Sequence, residues 1–386
     1  MTAPGRLASL DAFRGLAIAG MILVNNPGSW AHVYPPLRHA VWHGATPTDL
    51  VFPFFLFAIG VAMPFSFAAR EARGDSRARL WRHVAIRALI LYGLGLFMTA
   101  VPRFDFATVR LVGVLARIAM VYLAAGTLVL FLSRRAVFAL MLAFLFVYWA
   151  LMALVPVPGF GAGDLSAEGN LAAWLDRMIL GPHMWSGGRG VYDPEGLLST
   201  LPAVSSTLAG LFAGDFLRRG QVYGGMRQAE APPPAKQAGA SLRLALLGVL
   251  LVGAGHLWDL VFPINKPIWT SSYVVYTTGW ALVTLGALHW LIDVRRWRAW
   301  ARPLEIYGMN AITAFVASGL LAKTLILWRV PDGSGGTTSA YHFVYETGFA
   351  SWAGPLNGSL AFAAATVLFW FAVAWAMYSR RIFIKV

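Results

Sequence analysis

Leu50-Val51-Phe52-Pro53-Phe54-Phe55-Leu56-Phe57-Ala58-Ile59-Gly60-Val61-Ala62-Met63-Pro64-Phe65-Ser66-Phe67-Ala68-Ala69 runs without a charged side chain from Asp49 to Arg70. A helix rises about 1.5 Å per residue, so a run of about 20 apolar residues crosses the hydrocarbon core of a bilayer. The interior prolines do not argue against this, because membrane helices tolerate them. Working outward, stretches of the same kind fall near 7–28, 49–69, 83–101, 111–132, 135–156, 196–216, 242–261, 271–292, 303–327 and 359–379. The chain is 58% hydrophobic and 12% charged, about half the charged fraction of soluble domains. The fold class expected is all-α: a polytopic membrane helix bundle of about ten transmembrane helices, forming a single domain over residues 1–386.

The net charge of +14 is spread over alternate loops instead of one face or tail. Arg70, Arg73, Arg77, Arg79 and Arg82 follow the second span, Arg134 and Arg135 the fourth, and Arg218, Arg219, Arg227, Lys236 and Arg243 the sixth. Arg295, Arg296, Arg298 and Arg302 follow the eighth, and Arg380 and Arg381 the tenth. The positive-inside rule assigns these loops and both termini to the cytoplasm. Segments 29–48, 102–110, 157–195, 262–270 and 328–358 then face outward. Topology accounts for the basic charge, so no nucleic-acid partner is expected. The first span is followed by Asn25-Asn26-Pro27-Gly28, with no small-residue cleavage site, and reads as an uncleaved anchor. Segment 219–241, with Ala231-Pro232-Pro233-Pro234-Ala235, reads as a cytoplasmic linker between helix groups. The chain has no cysteine, which removes disulfides, thiolate metal sites and a cysteine nucleophile. The histidines have no ligand spacing that indicates a metal, and none is expected.

The polar turn His39-Ala40-Val41-Trp42-His43-Gly44-Ala45-Thr46-Pro47-Thr48-Asp49 precedes the second span. An ionisable cluster at a helix mouth costs solvation energy unless it is hydrogen-bonded or lines a wet cavity, which marks a functional site. Asp193 and Glu195, in Tyr192-Asp193-Pro194-Glu195-Gly196, stand at a helix start, where they either cap it or contact a cationic or hydroxyl-rich acceptor. Asn265 and Lys266 are candidate polar contacts to a ligand; nearby Trp269 and Tyr273 fit an interfacial belt. Asp11 and Arg14 share a helix face and either pair with each other or contact a ligand. Arg117 lies too deep in the fourth span to snorkel easily and is expected to face the bundle interior. Glu305 and Asn310 read as polar glue between helices.

Five ordered motifs, Arg6-Leu7-Ala8-Ser9-Leu10-Asp11-Ala12-Phe13-Arg14-Gly15, Val24-Asn25, the turn from His39 to Pro53, Tyr192 to Gly196 and Pro263-Ile264-Asn265-Lys266, resemble those of the heparan-alpha-glucosaminide N-acetyltransferase family of transmembrane acyltransferases. Lysosomal members carry a further amino-terminal lumenal domain and span, so the resemblance is to a compact bacterial form, which implies the inner membrane. The family implies transfer of acetyl from cytosolic acetyl-CoA, across the membrane, to the amine of a terminal glucosamine. It further implies a catalytic histidine at His39 with the asparagine at Asn25 beside it.

The chemistry of these residue types agrees. His39 can act as general base, or attack the thioester and carry the acetyl group itself. Asn25 offers an amide donor for charge developing on the thioester carbonyl, and Asp49 can orient His39 or bind the sugar amine. Arg14 to Asn25 is about 16 Å along a helix, comparable to an extended pantetheine arm, so Arg6 and Arg14 are candidates for the CoA phosphates, with Asp11 and Arg117 joining the donor set. Two other classes remain open: a multi-span transporter of a sugar or small polar solute, and a lipid-linked glycosyltransferase. The sequence does not reveal the oligomeric state; a homodimer is the candidate assembly.

Overall fold

The computed structural model describes residues 7–222, 234–332 and 335–384, and these are almost wholly helical. In chain order the helices are α1 (Ala8–Asn25), α2 (Val51–Glu71), α3 (Arg77–Ala100), α4 (Val114–Phe131), α5 (Arg134–Leu154), α6 (Leu171–Leu180), α7 (Thr200–Val222), α8 (Pro234–Asp259), α9 (Ser271–Leu288), α10 (Arg302–Met309), α11 (Ala311–Leu327), α12 (Ala340–Tyr345) and α13 (Ser351–Ser379). The one sheet is an antiparallel pair, β1 (Arg329–Pro331) with β2 (Thr337–Ser339). Each of the ten apolar segments expected from the sequence falls on helix. Among the described residues eight helices are long and apolar enough to cross a membrane, and nine if the bent pair α10–α11 is one span.

α7 is absent from that set, and its hydroxyls explain why. Ser205, Ser206 and Thr207 are buried, and Ser205 Oγ donates to the Met141 carbonyl at 2.8 Å while Thr207 Oγ1 donates to the Leu56 carbonyl at 3.1 Å. Interhelical hydrogen bonds replace apolar side chains on a helix that faces protein instead of lipid. At Gly60 the backbone of α2 lies so close to the Thr207 carbonyl that a Cβ would overlap it. α7 and α8 also extend into the expected linker, up to Val222 and from Pro234; residues 223–233 lie outside the described residues.

The chain forms two compact units. The first comprises residues up to 39, then 46–52, and those from 291 on, and so holds α1, α10–α13 and the hairpin. Its α1 begins at Leu7 without a side-chain cap, and Asp293 supplies one from elsewhere in the chain by accepting the Ser9 N–H at 3.2 Å. α1 packs closely on α10: a Cβ at Gly15 would collide with the Leu304 carbonyl. The ninth expected span is broken, with α10 and α11 meeting at 79°. Asn310 sits at the break and is spent on the carboxy-terminal segment, donating from Nδ2 to the Ile382 carbonyl and accepting the Ile384 N–H on Oδ1. The tenth span starts earlier than expected, at Ser351, and is kinked at Gly354 (φ 75°), just before Pro355. The second unit comprises residues 40–45 and 53–290 and holds the body of α2 with α3–α9.

Candidate active site

In the first unit, His39 ends an extended stretch that follows the short turn Pro35–Leu37, and Asp49 lies in the single turn Pro47–Leu50 that leads into α2. Pro47 opens that turn with its φ already set, and Asp49 accepts the Thr46 N–H at 3.0 Å through Oδ2. The other carboxylate oxygen, Oδ1, lies 2.6 Å from His39 Nδ1. Thr46 Oγ1 donates to the Arg38 carbonyl at 2.6 Å, which ties the residue before His39 to the same turn. Asp49 is 1% exposed while the His39 side chain is 41% exposed. A buried, fully oriented carboxylate thus fixes an accessible imidazole. Because a carboxylate accepts, His39 Nδ1 is the donor of this pair.

His43, the other histidine of the turn, belongs to the second unit and does something else. Asn265 Oδ1 accepts the Ile268 N–H at 3.0 Å, which leaves its Nδ2 to donate to His43 Nδ1 at 3.3 Å. His43 Nδ1 is therefore an acceptor and the ring is neutral, in keeping with a pKa lowered by partial burial against the opposing pull of Asp259. The Gly44 N–H donates to the Ile264 carbonyl at 2.7 Å, so residues 43–44 are laced to the 263–270 turn. Asn265, expected to reach a ligand, is buried and consumed in this lacing. Lys266, next to it, is half-buried.

Asp193 and Glu195 are likewise committed. Arg110 Nε donates to Asp193 Oδ2 at 2.9 Å, and its Nη2 bonds both Asp193 Oδ1 and Glu195 Oε2. Asp193 also accepts the backbone N–H of Trp185 and of Glu195. Arg117 sits in the first turn of α4, shallower than the sequence suggests, and is fully buried; its Nη2 donates to the Gly196 carbonyl and to Ser199 Oγ, and its guanidinium lies 5.0 Å from the Trp269 ring centroid. It fastens the start of α7, a structural task, and this places it with Asp193 and Glu195 in the second unit, whereas Arg14 is in the first. Nearby, Asp176 is 1% exposed and accepts the Leu197 N–H at 2.8 Å; burial pushes its pKa up to about 7.

Within the first unit, Asp11 is buried and ion-paired with Arg14. Asn25 is the last residue of α1 and is exposed. Arg6 lies outside the described residues. Sequence reasoning did not single out Thr46, which orients Asp49, or Arg110, which pairs with both carboxylates of the Asp-Pro-Glu motif; the Thr-Pro-x-Asp spacing of a capping box was the available signal for Thr46.

The architecture and this dyad define a helical membrane protein with a carboxylate-oriented histidine. The similarity found is to the heparan-alpha-glucosaminide N-acetyltransferases. The human (Homo sapiens) protein of that name is 27% identical over 431 aligned residues, covering 99% of this chain and 60% of the relative. The mouse (Mus musculus) protein of the same name is 26% identical over 429, with the same coverage. The chain thus spans about 60% of the length of the curated relatives it matches. A family profile described as a domain of unknown function (DUF5009) matches residues 6–104, which include the whole His39–Asp49 turn.

Proposed function

We propose that this protein transfers an acetyl group from acetyl-CoA to the amine of a terminal glucosamine, or a related amino sugar, with donor and acceptor on opposite sides of the membrane. The observation that carries the reading is the 2.6 Å contact between His39 Nδ1 and the buried Asp49 carboxylate. That contact orients the imidazole with Nδ1 toward the carboxylate, as a general base requires. His39 Nε2 takes a proton from the amine as its nitrogen attacks the thioester carbonyl; the C–S bond then breaks, and the departing thiolate takes the proton back. Asn25 is assigned the stabilising contact to the carbonyl oxygen. Arg14, in balance with Asp11, and Arg6 are assigned to the CoA phosphates, and the similarity to proteins named as acetyltransferases favours this over a transporter or a glycosyltransferase.

The test is turnover by purified protein with acetyl-CoA and glucosamine. His39→Ala should lower kcat by about 10²–10⁴-fold, the usual contribution of a general base. Asp49→Asn should do likewise, because the amide cannot accept both the imidazole and the Thr46 N–H through anionic oxygens. Unchanged kcat in both variants, with acetylglucosamine still formed, would remove the dyad from the chemistry.

A further inference from the structure

In the first unit, Arg295-Arg296-Trp297-Arg298-Ala299-Trp300-Ala301-Arg302 interleaves cations with indoles, and residues 295–300 are all exposed. Its backbone holds a defined turn. The chain reverses at Arg296, whose φ of 58° lies in the left-handed region, and the Trp297 N–H returns to the Leu291 carbonyl at 3.0 Å. Arg298 Nε donates to the Ile292 carbonyl at 3.3 Å. Trp297 and Trp300 meet edge to face at 6.1 Å and 62° while 61% and 38% exposed, so two indoles stand in a polar turn instead of in a core. Arg302 extends the surface. It donates from Nη2 to the Tyr378 hydroxyl at 2.6 Å and lies 5.3 Å from that ring's centroid, which brings the end of α13, with exposed Arg380 and Arg381, alongside.

The carboxylates of this neighbourhood are sunk beneath it. Glu305 is 5% exposed; Asp293, with a side chain 10% exposed, accepts the Ser9 N–H and comes no nearer than 3.7 Å to Arg298. The exposed charges on residues 295–302 and 378–381 are therefore all arginines. At other helix ends arginine meets acid closely, Arg79 with Asp75 at 3.1 Å and Arg134 with Asp215 at 2.8 Å. Orienting a helix in a membrane calls for positive charge but not for tryptophans set among the charges. The turn begins one residue past the apolar segment Ser271–Val294, and Arg380 one residue past Ala340–Ser379, which places both at the depth of lipid headgroups. There an indole suits the boundary between acyl chain and headgroup, and a guanidinium fork suits two oxygens of a phosphodiester.

We propose that the 295–302 turn and the end of α13 form a binding surface for anionic phospholipid headgroups, with the arginines on the phosphodiester and Trp297 and Trp300 at the acyl boundary. The surface is independent of the acetyl-transfer reading, but acetyl-CoA also carries phosphates, and the experiment separates the two sources. The full chain is reconstituted in phosphatidylcholine vesicles with a trace of headgroup-photoactivatable phosphatidylglycerol or phosphatidylcholine, and cross-linked peptides are identified by mass spectrometry. The glycerol probe should label 295–302 about tenfold more than the choline probe, the scale set by a few arginines at an anionic surface. Unlabelled phosphatidylglycerol should compete and acetyl-CoA should not; these arms need no variant. Arg295→Gln with Arg296→Gln should remove most of that preference, as should Trp297→Ala with Trp300→Ala, while the charge-matched pair Arg77→Gln with Arg82→Gln should leave it unchanged. Melting temperatures establish that each variant is folded. Displacement by acetyl-CoA would give the surface to a nucleotide phosphate and overturn the proposal. Equal labelling by the two probes, or equal loss in both arginine pairs, would overturn it too and leave charge that serves orientation alone.

Discussion

At the scale of single residues, ionisable side chains in this protein are sorted by what holds them. His39 and His43 are four apart in one turn, yet one ring faces a buried carboxylate and the other a side-chain amide. The sequence marked the turn and His39, but hydrogen-bond partners 10 and 222 residues away are what distinguish the two rings. Asp176 is the clearest case of a residue whose state composition could not reveal. Its folded pKa of about 7 lies above the ordinary 3.8, so the folded protein holds that proton more tightly than the unfolded chain does. The stability this gives is complete below about pH 4 and is lost as pH rises through about 7. Asp176→Asn keeps an oxygen for the Leu197 N–H and removes the titration. Its melting temperature should therefore gain on the parent's between pH 5 and pH 8, and an offset that does not change with pH would refute the assignment.

At the scale of elements, the helices were legible because twenty-residue apolar runs have one economical solution in a bilayer. What escaped was geometry set by partners. The break between α10 and α11 depends on Asn310 finding the backbone at Ile382 and Ile384, and no local pattern encodes that. The Asp-Pro-Glu turn was legible as a helix start, but its charge balance was not, because Arg110 approaches from 83 residues upstream. Arg110 is 19% exposed against carboxylates that are 0% and 9% exposed. Removing one member of a buried ion cluster leaves charge unpaired, typically at a cost of about 3–5 kcal/mol. Arg110→Met should thus lower thermal stability sharply, whereas Arg110→Lys should recover only part of it, since a point charge cannot reproduce the fork to two carboxylates. Equal stability of Arg110→Met and the parent in a detergent melt would mean that the cluster is not structural.

At the scale of the whole molecule, the topology proposed from the alternation of arginine-rich and arginine-poor loops would put the His39 turn on the outer face. The absence of native cysteine makes this directly readable. A cysteine at exposed Ala162 should react with an impermeant thiol reagent added outside, and one at exposed Ala235 only after permeabilisation. The reverse pattern would put His39 on the cytoplasmic side. With His39 as general base, acetyl is proposed to pass from a donor on one face to an amine on the other, and vesicles reconstituted with a single orientation put this to the test. Labelled acetyl-CoA is supplied only to the arginine-rich face and glucosamine only to the opposite one. Acetylglucosamine should accumulate in the compartment that never held CoA, more slowly with Arg14→Ala at limiting donor and not at all with His39→Ala at any donor concentration. Product that forms only when both substrates share a compartment, or that forms undiminished in His39→Ala, would contradict it.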